Sequence, residues 1–360
     1  MKSPKHIKLK LDERKADNAF RSLNIYPDGI DFFSNDYLGL SKIPFESKLA
    51  HGSTGSRLIS GHSIIAEKFE KEVAEFFNQP AAVLYNSGYD ANVGLFSCIA
   101  QRGDTVIYDT LIHASIRDGI RLSNANSYNF KHNDLNHLEN RLKKGEGTVF
   151  VAIESIYSMD GDEAQLAAIS KLCVHYGAFL IVDEAHACGV YGSKGCGLVS
   201  HYNLDDQIFA KIITFGKGYG SHGATVLGNI ELKAYLVNFS RALIYTTGLP
   251  PSVIERLSFV LDQVSKMDKE REKLFENIKY FQSKAAKLNL ALIKSESAIQ
   301  SVLIPGNKAV KKTSDHLASN GINAKAILSP TVERNGERIR ICMHSYNTFQ
   351  EIDQLLDVLK

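Results

Sequence analysis

Short, nearly uninterrupted apolar runs alternate with helical segments through the first two thirds of the chain, and this pattern restricts the fold most. The helical segments include 88–100 and 164–176, each of which separates two apolar runs. Strands that are apolar on both faces are typical of a parallel sheet covered by helices on each side. The runs are 81–85, 105–108, 149–153, 179–182, 208–215 and 224–227. We therefore predict an α/β fold with a mostly parallel sheet, in which ligands bind beyond the carboxyl ends of the strands.

Length and prolines suggest how the chain is divided. A chain of 360 residues can form one large domain and a smaller one. Helical spacing predicts an N-terminal helix over 9–23, with Arg14 and Arg21 on one face. Two consecutive prolines then precede a helical stretch of about 252–289. We expect an N-terminal helix and arm over 1–40, a large domain over 41–249 and a small C-terminal α+β domain over 250–360.

The composition argues against several classes of partner. The 42 basic and 40 acidic residues nearly cancel, so the chain has no electrostatic footprint for nucleic acid or an anionic membrane. Its five cysteines form no C-x-x-C pair, which indicates reduced thiols and no metal site. The first residues are charged, and no apolar run approaches the length of a membrane span. We therefore expect a soluble cytoplasmic protein that binds neither nucleic acid nor a membrane.

A lysine and an aspartate follow two of the predicted strands. Lys217 lies between two glycines just after the run 208–215, and Asp183 directly follows the run 179–182. Because the carboxyl ends of parallel strands meet at one edge of a sheet, we expect these side chains to be neighbours. Pyridoxal phosphate chemistry requires such a pair: the lysine forms a Schiff base, and the aspartate keeps the pyridine nitrogen protonated. The pair predicts a pyridoxal 5′-phosphate enzyme.

Parts of this pattern also occur in other classes of protein. The run Asp183–His186 is shared with nucleic-acid helicases, but these need a G-x-x-x-x-G-K-[ST] phosphate loop, which the chain lacks. The run Asp160–Asp162 begins like a calcium loop, but residue 164 is alanine and the spaced acidic ligands do not continue. A lysine flanked by glycines is more often a solvated loop residue, so Lys217 is informative only together with Asp183.

The phosphate of the cofactor has a predicted binding position after the run 81–85. Gly88 and Tyr89 open the helical segment that follows this run. Backbone N–H groups at a helix N-terminus bind phosphate, and glycine allows a close approach. Thr214, three residues before Lys217, offers a hydroxyl to the same phosphate.

Three further side chains are candidates for contact with the cofactor ring. His113 lies beyond the run 105–108 and either stacks on the ring or caps a loop; the sequence leaves both open. His186 lies three residues after Asp183 and can reach the phenolic oxygen of the ring. Ser158 follows another strand end and offers a second hydroxyl near that oxygen.

Together these segments resemble the α-oxoamine synthases, a branch of the fold type I pyridoxal phosphate enzymes. The matching runs are Asn35–Leu40, Gly52–Arg57, Ser158–Asp162, Val182–His186, Thr214–Gly218, Ile244–Pro251 and Ser329–Val332. The resemblance implies a fold type I transferase that acts as a homodimer on an amino acid and an acyl thioester. It also implies that Lys217, His113 and Asp183 are catalytic, and that Gly88, Tyr89, Ser158, His186 and Thr214 bind the cofactor.

The resemblance further implies a set of substrate-binding residues. Arg21, Asn35 and Thr331 would contact substrate, and Arg340 would hold the carboxylate of the amino acid. In the run Arg338–Met343 arginine alternates with apolar residues, so Arg340 points away from the apolar face, and its planar guanidinium suits a carboxylate. The sequence alone, without the resemblance, favours an ordinary exposed arginine on a half-solvated strand.

Some runs favour one branch of the family, which condenses L-alanine with a pimeloyl thioester in biotin biosynthesis. They are Leu11–Arg14, Lys131–Asp134, Ser297–Gln300 and Arg338–Arg340. The alternatives are the branches that use glycine with acetyl-CoA or succinyl-CoA, or serine with a long acyl-CoA, and a non-catalytic relative. The acyl carrier, either coenzyme A or acyl carrier protein, stays open.

Overall fold

The computed structural model describes residues 4–26 and 28–360. The chain divides into two compact units. The first comprises the described residues up to Ser34, together with Met159–Asp162 and Glu272–Lys360. The second comprises Asn35–Ser158 and Glu163–Arg271. The N-terminal helix and the C-terminal segment thus belong to one unit, and the three-part division at residues 40 and 249 remains a prediction.

The strands of the described residues are short. In chain order they are β1 (Ile30–Asp31), β2 (Ala81–Tyr85), β3 (Thr105–Asp109), β4 (Asn126–Phe130), β5 (Val149–Glu154), β6 (Phe179–Asp183), β7 (Ala210–Thr214), β8 (Ala224–Gly228), β9 (Leu292–Ile293), β10 (Ile299–Leu303), β11 (Ile322–Asn323), β12 (Lys325–Ile327) and β13 (Arg338–Cys342).

The α-helices of the described residues lie mostly between these strands. They are α1 (Lys5–Ala16), α2 (Ile64–Phe76), α3 (Gly88–Ile99), α4 (Ala114–Leu122), α5 (Leu135–Leu142), α6 (Leu166–Tyr176), α7 (Gly197–His201), α8 (Ile230–Phe239), α9 (Arg241–Ile244), α10 (Pro251–Val264), α11 (Asp268–Lys287), α12 (Asn307–Ser319) and α13 (Phe349–Leu359).

The second unit is built on a seven-stranded sheet in the order β2-β8-β7-β6-β5-β3-β4. Strands β4, β3, β5, β6 and β7 are parallel to their neighbours, whereas β8 is antiparallel to both β7 and β2. Six strands therefore point the same way, and their carboxyl ends meet at one edge. The predicted α/β fold with a mostly parallel sheet is confirmed.

One strand of this sheet has no counterpart among the predicted runs. Strand β4 lies at the edge of the sheet and pairs with β3, and its first four residues are exposed. Its sequence, Asn-Ser-Tyr-Asn-Phe, therefore lacks the apolar character by which the buried strands are recognised. An edge strand that faces solvent has little need of apolar side chains.

The first unit is an α+β structure. Its four-stranded sheet has the order β12-β13-β10-β9 with antiparallel neighbours, and a separate parallel pair joins β1 to β11. Strands β10 and β13 alternate with helices α12 and α13 along the C-terminal part of the chain, as the predicted α+β character requires.

Two helix predictions are wrong in extent. Helix α1 covers Lys5–Ala16, so Arg21 lies beyond its end and shares no helical face with Arg14. Asn18 adopts a positive φ of 53°, which is incompatible with continuing a right-handed helix. The predicted stretch 252–289 consists of α10 and α11, separated at 265–267.

The core of the second unit lies between the sheet and the helices α3 and α4. Its members include Val83, Leu95, Val106, Ile116 and Ile212, all of which are almost fully buried. This packing fixes the N-termini of both helices against the carboxyl edge of the sheet. Among the described residues, no helix has the length and apolar character that crossing a bilayer requires.

Candidate active site

A cavity of about 240 Å³ opens at the carboxyl ends of β2, β5, β6 and β7 in the second unit. It brings together seven of the predicted site residues, which come from several loops and helix N-termini: Asn35, Gly88, Tyr89, His113, Asp183, Thr214 and Lys217. Asn92, Glu154 and His222 also line it. The expectation that the strand ends converge on one site is met in the geometry, while the role of each residue remains a prediction.

Lys217 is held near two other polar side chains. Its Nζ atom lies 2.9 Å from Nε2 of His186, which is almost fully buried. The other ring nitrogen of His186 lies 2.7 Å from the hydroxyl of Tyr37. Tyr37 belongs to the segment that starts the second unit, so this loop orients the histidine that in turn orients the lysine amine.

Asp183 is directed into the cavity by two donors. Its Oδ1 accepts the backbone N–H of Ala185 at 2.9 Å, and its Oδ2 accepts from Nδ2 of Asn92 at 2.8 Å. Two donors on different oxygens hold this carboxylate in one orientation. A carboxylate fixed in this way at the end of β6 can pair with a protonated ring nitrogen.

His113 occupies the N-cap position of α4. Its Nδ1 accepts the backbone N–H of Ser115 at 3.3 Å and lies 2.7 Å from the hydroxyl of that serine. Burial lowers the pKa of His113, and the positive charge of Lys217 lowers it further. The histidine therefore caps the helix and lines the cavity at once, and stacking on a cofactor ring remains a prediction.

The N-terminus of α3 fits a phosphate group. The Ser87 hydroxyl accepts the N–H of Asp90, and the Ser87 carbonyl accepts that of Ala91, which leaves the amides of Gly88 and Tyr89 outside the hydrogen bonds of the helix. The buried hydroxyl of Thr214 has no hydrogen-bond partner among the described residues. These donors are the kind that a phosphate dianion needs.

The same corner brings the backbone of Gly88 close to the side chain of Thr214. A Cβ atom added at Gly88 would lie 2.5 Å from Cγ2 of Thr214. Glycine is therefore required at this position for steric reasons, as well as for access to the amide.

Sequence reasoning missed Glu154, the last residue of β5. It is almost fully buried and lies opposite Asp183 in the register of β5 and β6. Burial raises the pKa of Glu154 to about 8; the negative charge of Asp183 also raises it, and the charge of Lys217 opposes both. Its position directly after an apolar run, like that of Asp183, was the signal that could have identified it.

Asn92 was also missed. It lies one helical turn after Gly88, where a side chain on the same face of α3 points toward the same strand ends. Its amide donates to Asp183 and, at 3.0 Å, to the hydroxyl of Ser115.

Ser158 and His186 are placed differently from the lining residues. Ser158 is buried after β5 and is not among the described residues that line the cavity. His186 contributes through its contact with Lys217. His222, whose purpose the sequence did not reveal, lines the cavity.

Three predicted substrate residues belong to the first unit. Nη2 of Arg21 donates to Oγ1 of Thr331 at 3.0 Å, and both residues line a separate cavity of about 710 Å³. Arg340 is 7% exposed in a strand that is buried throughout, and its Nη1 lies 2.9 Å from Sγ of Cys342. The alternative of an ordinary exposed arginine on a half-solvated strand is therefore wrong, because both the side chain and the strand are buried.

Comparison with known proteins identifies the family. The sequence model of the family described as aminotransferase class I and II matches residues 27–359. The chain belongs to this family. It is 37% identical to 8-amino-7-oxononanoate synthase of Emericella nidulans, with 99% of this chain and 96% of the relative covered. It is 35% identical to the enzyme of that name from Lysinibacillus sphaericus, with 91% and 87% covered.

Solved structures show the same likeness. A serine palmitoyltransferase from S. paucimobilis with a bound PLP–myriocin aldimine is 25% identical, with a TM-score of 0.89 and 98% and 96% of the two chains covered. The 8-amino-7-oxononanoate synthase from Francisella tularensis is 30% identical, with a TM-score of 0.80 and 92% and 96% covered. The predicted resemblance to the α-oxoamine synthases and the fold type I architecture are confirmed.

Proposed function

We propose that the chain is a pyridoxal 5′-phosphate-dependent acyltransferase that condenses L-alanine with a pimeloyl thioester. The products are 8-amino-7-oxononanoate, carbon dioxide and the free thiol, as biotin biosynthesis requires. The observation that carries this proposal is the placement of Lys217, Asp183 and His113 in one cavity of the second unit. The relatives named 8-amino-7-oxononanoate synthase, which match nearly the whole chain, support the choice of reaction.

The residues present fit the cofactor. We assign its phosphate to the amides of Gly88 and Tyr89 and the unpartnered hydroxyl of Thr214. We assign the contact with the ring nitrogen of the cofactor to Asp183. Pyridoxal 5′-phosphate, when bound, supplies a cationic ring that withdraws electron density from the Cα of an amino acid.

Side chains of the protein transfer the proton and hold the reacting groups in orientation. Lys217 takes the proton from the Cα atom and returns it, because its amine lies in the cavity in which the amino acid would bind. His186, 2.9 Å from that amine, keeps it in place. Asp183 stays oriented because Asn92 and the amide of Ala185 both donate to it.

Substrate contacts are assigned from the resemblance. Arg340 is assigned to the carboxylate of the amino acid, which its burial and planar guanidinium suit. Contacts with the substrate are also assigned to Arg21, Asn35 and Thr331. Contacts with the cofactor are likewise assigned to Ser158 and His186.

The assembly and carrier are part of the same proposal. We assign a cytoplasmic homodimer, since large apolar side chains such as Ile59, Ile64 and Tyr245 are more than 70% exposed in the second unit. The acyl group arrives on coenzyme A or on acyl carrier protein, and the assay below separates the two.

The test is product mass after incubation of the purified protein with alanine, glycine or serine and a panel of acyl thioesters. Pimeloyl-CoA, pimeloyl acyl carrier protein, acetyl-CoA, succinyl-CoA and palmitoyl-CoA form the panel. We expect 8-amino-7-oxononanoate from alanine and a pimeloyl thioester, well above every other pair. A higher rate with glycine and acetyl-CoA would instead indicate a glycine C-acetyltransferase.

The Lys217→Ala variant is the matched test of the catalytic assignment. We expect it to lose turnover and the visible absorbance of the bound cofactor. Lys171→Ala, which removes an exposed lysine on α6, should behave as the wild type. Turnover of alanine by Lys217→Ala would refute the assignment, and a wild-type protein that binds no cofactor would indicate a non-catalytic relative.

A further inference from the structure

A buried chain of hydrogen bonds links Asp183 to His113. Nδ2 of Asn92 lies 2.8 Å from Asp183 Oδ2 and 3.0 Å from the hydroxyl of Ser115. That hydroxyl lies 2.7 Å from Nδ1 of His113. All the linking atoms are inside the protein, because Asn92, Ser115 and Asp183 are almost fully buried. We refer to these four residues as the Asp183–His113 chain.

The direction of each hydrogen bond follows from the chemistry of its ends. A carboxylate oxygen can only accept, so the amide group that faces Asp183 is the NH₂ of Asn92. The same NH₂ donates to Ser115, whose oxygen is therefore an acceptor there. Because the Ser115 hydroxyl accepts from Asn92, its single proton is free to be donated to Nδ1 of His113, 2.7 Å away.

A second donor reaches the same nitrogen. The backbone N–H of Ser115 points at Nδ1 of His113 at 3.3 Å, as expected for an N-cap side chain. Backbone N–H groups cannot accept, so Nδ1 must carry a lone pair. The two donors agree, and they leave the ring proton on Nε2.

We propose that Asn92 is a positioning residue which, through Ser115, holds His113 as the neutral imidazole with its proton on Nε2. The neighbours of the amide fix its orientation, because its NH₂ group faces two acceptors and its Oδ1 faces no donor among the described residues. The opposite orientation would place that oxygen against Asp183, where two acceptors repel. Asp183 thus fixes Asn92, and Asn92 fixes the tautomer of His113.

The consequence for catalysis rests on the proposed function. A neutral His113 avoids repulsion with Lys217 and with the cationic ring that Asp183 binds. The titratable groups that face His113 are Lys217, Asp183, Asp118 and Glu154, whose carboxyl group contacts the backbone of His113. A positive imidazole beside a ring that must accept electrons would compete with Lys217 for the same negative partners.

The test reads the tautomer directly. The full-length protein is labelled with ¹⁵N in its histidine rings, and NMR spectra are recorded across neutral pH with and without pyridoxal phosphate. The His113→Gln variant identifies the signal. We expect a proton on Nε2 and none on Nδ1 of His113 in both samples. A proton on Nδ1 in the wild-type protein overturns the proposal.

Variants test the parts of the chain. Ser115→Ala removes one donor to Nδ1, so the midpoint for protonation of His113 should rise by about 0.7 pH units, equivalent to about 1 kcal/mol. Asn92→Ala should raise this midpoint less, because the Ser115 hydroxyl loses the donor that helps turn its proton toward Nδ1, while the backbone N–H of Ser115 stays in place. Ser115→Thr keeps the hydroxyl and should keep the wild-type spectrum.

Asn238→Ala, on an exposed part of α8, controls for loss of an amide. An unchanged tautomer and midpoint in both Ser115→Ala and Asn92→Ala overturns the role of the chain. If circular dichroism shows that these variants do not fold, the NMR spectra of the wild type and of Ser115→Thr test the proposal. The NMR experiment needs no substrate. A wrong tautomer proposal can therefore be distinguished from a wrong proposed function, which the product assay tests.

Discussion

Glu70 closes the open edge of the main sheet, which makes it the most informative position for a stability measurement. Strand β2 is an edge strand, and its outward backbone groups need partners. At Leu84 the N–H donates to Glu70 Oε1 at 2.8 Å, and the carbonyl accepts from Arg57 Nη1 at 3.1 Å. Arg57 Nη1 also donates to Glu70 Oε1 at 2.5 Å, and Lys233 Nζ lies 2.8 Å from Oε2. The Arg57–Glu70 pair thus makes the two backbone hydrogen bonds at Leu84 that a neighbouring strand would otherwise make.

We expect Glu70→Ala to lower the free energy of unfolding by about 3–5 kcal/mol, because it leaves a mostly buried guanidinium and a strand amide without an acceptor. Glu70→Gln keeps an acceptor for Leu84 and loses the charge, so about 1.5–3 kcal/mol is expected. Lys233 adds little, because its side chain is 38% exposed and solvent screens it. Replacing Arg57 and Glu70 together by methionine should cost less than Glu70→Ala alone.

The pH dependence has a defined sign. Burial acts to raise the pKa of Glu70, but the charge of Arg57 and hydrogen bonds from Arg57 and Lys233 outweigh it and hold the pKa below its ordinary 4.5. The stabilisation is therefore present above pH 4.5 and disappears as the pH falls through the lowered value. The difference between the wild type and Glu70→Gln should shrink in acid.

Urea unfolding followed by circular dichroism measures these effects; the chain contains no tryptophan, so tyrosine is the available fluorophore. Glu75→Ala, on an exposed position of α2, is the control. A loss of less than about 1 kcal/mol in Glu70→Ala would refute the reasoning, since it would place this pair among ordinary surface ion pairs. Because Leu84 lies two residues before Asn86 and the phosphate position, cofactor affinity should fall with stability.

Two other predictions concern the site. Gly88→Ala should raise the dissociation constant of pyridoxal phosphate by about tenfold or more, because its Cβ would displace Thr214; equilibrium dialysis measures this, and unchanged affinity contradicts the phosphate assignment. In Glu154 the pKa of about 8 exceeds the ordinary 4.5, so the folded protein holds a proton that the unfolded chain has lost, and the free energy of unfolding falls as the pH rises between these values. Glu154→Gln should flatten that fall in urea unfolding of the cofactor-free protein, and a slope equal to that of the wild type contradicts the buried-acid interpretation.

The sequence was sufficient where burial and position along a strand carry the information. The runs that became β2, β5, β6 and β7 are apolar because helices cover both faces of the sheet, and their ends identify Asp183 and Lys217. Strand β4 could not be predicted in this way, because most of its side chains face solvent and its sequence shows no periodic apolar pattern.

Other features depend on contacts between distant segments. The partner of Lys217 is His186, and the partner of His186 is Tyr37, which lies 149 residues away in sequence. Nothing in the local pattern around Tyr37 specifies that contact. The end of α1 likewise depends on the backbone conformation of Asn18, which the helical periodicity of its neighbours conceals.

The sequence does not distinguish Glu154 from Asp183, but their surroundings in the structure give the two carboxyl groups different roles. Both are acidic residues at the ends of adjacent parallel strands, and they are register partners. Two buried carboxylates this close cannot both be charged without a large cost, so one of them takes a proton. Asp183 accepts from Asn92 and from the amide of Ala185, whereas Glu154 Oε1 has no hydrogen-bond partner among the described residues. Burial raises the pKa of Glu154 to about 8, so Glu154 is the one that holds the proton. Asp183, which Asn92 and the amide of Ala185 hold in one orientation in the cavity, is therefore the carboxylate able to pair with a cationic ring.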